Sequence, residues 1–175
     1  MMFYEPILEE ALHHAKSRIH FHRYDPDLRQ SKHKKLTLNF WGALGEMHVA
    51  DFLDLPQSAI NDRSAVHDLH VCGHVIEVKT SVYPNAEYAI VPYWQVNIGK
   101  PYEILVGAKA SKFFDPEPKE NEWSLLAVTF QGWCDRDRWD VCSEPNPVGN
   151  KQGRAIHEAC LYDMKDLKGF IHAAT

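Results

Sequence analysis

From His67 to Lys79 the chain reads His-Asp-Leu-His-Val-Cys-Gly-His-Val-Ile-Glu-Val-Lys. Gly73, one residue after the first of two alternating runs, marks a two-residue hairpin turn, because the second position of the tight turn favours Gly at positive φ. With Cys72 and Gly73 as the loop, Asp68 lies directly opposite Glu77, and Lys79 falls on the same face. Leu69, Val71, Ile76 and Val78 form the other, core-facing side. Opposed carboxylates destabilise a hairpin unless something neutralises them. A divalent cation does so: two hard oxygen donors on neighbouring strands suit Mg²⁺ or Mn²⁺, which complete their shells with water and substrate phosphate. Protonated Lys79 is no ligand. It could orient or deprotonate an attacking water, or stabilise charge on a phosphate. The plainer alternative is an exposed polar face on which Lys79 makes an ordinary cross-strand ion pair.

Glu46 belongs beside this group. On a helix it shares a face with Gly42, Val49, Ala50 and Leu53, where a carboxylate is costly without a partner. Gly42 and Gly45 remove bulk and let that helix approach a sheet, so a third carboxylate can be delivered to Asp68 and Glu77. The elements expected to position these residues follow from periodicity. A helix runs from Pro6 to about His20, and a second, capped by Asn39, to about Leu53 before Pro56 stops it. Strand-like runs follow at about Val66–Val71, His74–Thr80, Glu87–Val91, Glu103–Ala108 and Ser124–Phe130, then a short terminal helix from Asp163. Helices, a run of strands and a final helix imply an α/β fold with a central four- to five-stranded mixed sheet flanked by helices.

Asp68, eight residues, then Glu77-Val78-Lys79, preceded by a helix bearing Gly45-Glu46, resembles the PD-(D/E)XK nuclease superfamily. The resemblance covers about residues 39–110 and implies a restriction-endonuclease-like fold. It further implies that Asp68, Glu77, the Val78 backbone carbonyl and Glu46 hold Mg²⁺ or Mn²⁺, and that Lys79 serves the water. His67 stands where the family name has Pro. Gln95 is a further candidate contact, from its place after the motif. The whole chain then reads as one domain: an N-terminal helix and basic segment (1–35), a catalytic core (39–110) and a C-terminal extension (111–175). The expected activity is hydrolysis of DNA phosphodiester bonds, by an endonuclease rather than an exonuclease, with a homodimer implied by resemblance.

Composition sets the partners. The 175 residues are 45% hydrophobic and 25% charged, with a net charge of -5, ordinary values for one globular domain. No window suits a membrane span and the start lacks a secretory signal, so the expectation is a cytoplasmic protein with no membrane partner. The acidity argues against nucleic acid on average, but residues 16–35 hold seven Lys or Arg against two Asp. Lys16, Arg18, Arg23, Arg29, Lys32, Lys34 and Lys35 are therefore candidate phosphate contacts, the alternative being a solvated basic linker. Trp133 and Trp139, with Arg136 and Arg138, could stack on bases or fill the core. Cys134, Cys142, His157 and Cys160 form a candidate structural Zn²⁺ set. A strand over 155–161 would point His157 and Cys160 to opposite faces, and a turn would reunite them. The alternative functions are a non-catalytic nucleic-acid-binding module on the same fold and a zinc-stabilised binding protein.

Overall fold

A computed structural model describes residues 4–21, 32–56, 68–92, 95, 102–111, 127–148 and 153–173. Two helices open the chain, α1 (Tyr4–Phe21) and α2 (Lys32–Phe52). The strands are β1 (Leu69–Val71), β2 (His74–Ser81), β3 (Tyr88–Pro92), β4 (Ile104–Ala110), β5 (Val128–Asp135), β6 (Glu144–Pro145) and β7 (Gly153–His157). Helix α3 (Arg136–Cys142) follows β5, and α4 (Leu167–Ala173) ends the described chain. A four-stranded mixed sheet has the order β1-β2-β4-β5, and β3-β7-β6 form a second, antiparallel sheet.

The hairpin folds in the register its turn dictates. Leu69 pairs with Ile76, His70 with Val75 and Val71 with His74. Cys72 and Gly73 both take positive φ, 49° and 86°, as the tight turn demands. Leu69, Val71, Ile76 and Val78 are buried in the core that α1, α2 and α4 share with one face of the large sheet. The other face, carrying Val75 and Leu105, packs with β3, β7 and Trp139 of α3 in a second core. The expected polar side of the hairpin is therefore not a solvated surface: Glu77 is 0% exposed.

Three boundaries differ from expectation. Helix α2 begins at Lys32, so Asn39 lies inside it rather than capping it. Leu36 is buried and stands one turn before Phe40, which extends the apolar stripe backwards. Strand β5 runs on to Asp135 because a bulge absorbs its glycine. Gly107 pairs with Gly132 and Ala108 with Phe130, leaving Gln131 unpaired in the register, and Gly132 sits at φ 139°. Strand β7 covers only 153–157, followed by a 3₁₀ turn at Glu158–Cys160. Residues 66, 67 and 124–126 of the expected strands lie outside the described residues.

The anticipated close approach of α2 to the sheet is made at Gly45. A Cβ there would stand 1.9 Å from Thr80 Oγ1, so the bare helix backbone at Gly45 rests directly on the Thr80 side chain of β2. Gly45→Ala should destabilise the fold by about 1–3 kcal/mol in urea unfolding, and Gly45→Ala with Thr80→Ala should recover part of that loss. Equal stability of Gly45→Ala and the native protein would contradict the contact.

Candidate active site

The site forms where β1 ends. Among the described residues, pairing with β2 stops at Leu69–Ile76, and Asp68 meets β2 one step further on. There the Val78 amide donates to Asp68 Oδ2 at 2.7 Å. In a strand the N–H and C=O of one residue point to the same side, so the Val78 carbonyl is presented on the edge that Asp68 covers. Glu77 points to the opposite sheet face from Val78. Its Oε1 accepts from the Lys79 ammonium and from Gln95 Nε2 at 3.3 Å.

Electrostatics tie the carboxylates together. Burial, then the charges of Glu46 and Glu77, push Asp68 up to about 7, against the opposing pull of Lys79 and the Val78 amide. Burial disfavours the Lys79 ammonium, but the Glu77 and Asp68 carboxylates outweigh it and hold the lysine above its ordinary value. Lys79 is therefore a proton donor at neutral pH. As the groups stand it can orient a water or offset phosphate charge, whereas deprotonating a water would first require the lysine to lose its own proton.

Glu46 has the partner its surroundings demanded. Arg18 Nη1 and Nη2 donate to its two carboxylate oxygens at 2.8 and 2.5 Å, with the Arg18 and Glu46 side chains 17% and 5% exposed. The partner was overlooked, yet the signal existed. Arg18 continues the spacing of Leu8, Ala11 and Ala15, all buried, so a cation occupies the helical stripe that faces α2. This corrects the expectation that Arg18 reaches a phosphate: its guanidinium is engaged by Glu46.

The remaining candidates are dispersed. Lys16 is exposed, Arg23 and Arg29 lie outside the described residues, and Lys32, Lys34 and Lys35 fall in the first turn of α2. Trp133 and Trp139 are each 3% exposed and so do not stack on bases. The guanidinium of Arg138 lies 4.3 Å from the Tyr162 ring centre and that of Arg136 5.3 Å from Tyr102. Cys134, Cys142 and Cys160 share the second core as free thiols, and burial pushes the Cys134 thiol up to about 12. The turn after β7 does not bring His157 to them. Its Nδ1 accepts the Ala159 amide at 3.1 Å, and its ring packs edge-on against Tyr88.

Among the described residues no three His, Cys, Asp or Glu side chains gather as a metal-holding cluster; Glu46 and Glu77 are each turned onto a cation. Compared with models of protein families, with curated proteins and with solved structures, the chain matches none.

Asp68 fixes the sign of a pH effect. Its folded pKa lies above the unfolded value of about 3.9, so between those values the folded state holds the extra proton. Its contribution to stability is full below pH 4 and is lost as pH rises through about 7. Urea unfolding of metal-free protein should show this decline between about pH 4 and 7, and Asp68→Asn should flatten it. An unchanged slope in that variant would exclude Asp68 as the source.

Proposed function

We propose that this protein is a divalent-metal-dependent deoxyribonuclease of the restriction-endonuclease-like fold, cutting DNA internally. The observation that carries the reading is Glu77, a fully buried carboxylate whose charge is felt by Asp68 and which is bonded by Lys79. A polar strand face kept merely for solubility would not be buried between two sheets. Further support comes from topology. A tight hairpin joins β1 to β2, β2 pairs parallel with β4, β4 pairs antiparallel with β5, and a carboxylate-bearing helix precedes them.

The residues present fit a hard cation. Gln95 is 6% exposed, and with its amide nitrogen on Glu77 its Oε1 is buried without a hydrogen-bond partner. Such a group normally signals an occupant that completes it. Asp68, Glu77 and the Val78 carbonyl would hold Mg²⁺ or Mn²⁺, with the Gln95 carbonyl alongside. When bound, the ion supplies an acidified water and Lewis-acid stabilisation of the phosphate. The chain's own part is to aim charge: Lys79 donates toward the scissile phosphate oxygens, and the second sheet behind Glu77 keeps bulk water out.

Plasmid, single-stranded and branched DNA incubated with the protein in Mg²⁺ or Mn²⁺ should be cleaved. Asp68→Ala or Lys79→Ala should lower the rate by ~10²-fold or more. Cleavage that survives both substitutions would refute the assignment.

Lys32, Lys34 and Lys35, in the first turn of α2, would track the DNA backbone. Replacing all three with Gln should weaken DNA binding and reduce the slope of log affinity against log salt by about 2–3. An unchanged slope in a fluorescence-anisotropy titration would place the DNA elsewhere.

A further inference from the structure

The superposed charges of the site allow a count of the cations it takes. We infer that Glu46 is the counter-ion of Arg18 and not a metal ligand, and that Arg18 thereby restricts the carboxylate site to a single divalent ion. The inference rests on the nuclease reading above and adds the metal stoichiometry and a positioning residue on α1.

Both oxygens of Glu46 are occupied by the parallel donors of one guanidinium, the geometry in which Arg and carboxylate bind most strongly. The pair is largely removed from water. Parting it would separate two opposite charges held largely away from water, which costs more than parting a surface pair. A cation that took Glu46 as a ligand would also stand beside the guanidinium it displaced.

Charge balance points the same way. With Asp68 ionised, as a carboxylate ligand to a cation must be, Glu46, Asp68 and Glu77 face Arg18 and Lys79, a net excess of one negative charge. With Glu46 matched to Arg18 and Glu77 bonded to Lys79, Asp68 carries the excess. One divalent ion on Asp68, Glu77 and the Val78 carbonyl already reverses the sign of the site. A second would meet a net positive field and find none of these three carboxylates unmatched. Arg18 thus acts through Glu46: it fixes that carboxylate on α2, keeps it off the metal, and makes α1 part of the site.

Calorimetric titration of the full chain with Mn²⁺ alone tests this without reference to catalysis. The native protein should bind one equivalent. Arg18→Gln combined with Glu46→Gln removes both charges, leaves the net charge of the site unchanged, and should keep the Mn²⁺ affinity within about threefold. Arg18→Met alone frees Glu46 and should bind Mn²⁺ at least tenfold more tightly or take up a second equivalent. Arg18→Lys should retain one equivalent.

Two equivalents in the native protein, or a tenfold weaker double variant, would make Glu46 a ligand and overturn the inference while leaving the nuclease reading intact. Absence of any Mn²⁺ binding that depends on Asp68 would instead remove the nuclease reading and this inference with it. Should Arg18→Met fail to fold by circular dichroism, the charge-neutral double variant decides the question.

Discussion

Carboxylates brought together in a folded interior persist only if their charge is cancelled, and that requirement organises this molecule. Glu46 on α2 and Glu77 on β2 both lie within electrostatic reach of Asp68, just ahead of β1. Asp68 accepts a backbone amide from the next strand, Glu77 a lysine from its own strand, and Glu46 an arginine from α1. Helix α1 carries none of the acidic motif, yet the motif depends on it. The packing of α1 on α2 is at once core formation, through Leu8, Ala11 and Ala15, and delivery of a positive charge to the one buried glutamate on α2.

The hairpin was the most legible part of the chain. A glycine at the turn and the two-residue period of a strand leave one register that buries Leu69, Val71, Ile76 and Val78 together, and the observed pairs follow it. The cost of an unpartnered Glu46 was legible too, since helical spacing alone puts it among small and apolar neighbours. The identity of its partner required knowing how two helices lie against each other, which periodicity within either helix does not contain.

Other features were hidden for separate physical reasons. Gly132 interrupts the alternation of β5 because the strand bulges there, so the pattern ends early although the strand continues. The second sheet is built from strands of two to five residues, too short for a convincing alternation. Residue types suited to chemistry also misled where burial claimed them. Trp133 and Trp139 fill cores, and three cysteines pack as thiols beside apolar neighbours. Arg136 and Arg138 lie against tyrosine rings instead of bases. Net charge was uninformative about a partner because the acids that set its sign include the ones gathered on the sheet.

The two-residue turn at Cys72 and Gly73 has a consequence for how such a chain can diverge. Asp68 and Glu77 are aligned by counting outward from that turn, so the loop works as the zero mark of a ruler whose graduations alternate between two faces. One residue added between the turn and Asp68 would rotate the aspartate toward the helices and Leu69 away from them, losing the alignment of the acids and opening a hole in the core. Paired additions, one on each arm, would lengthen the hairpin and keep both acids in line. Length variation here should therefore come in matched steps on the two arms, with the tip kept to residues that accept positive φ.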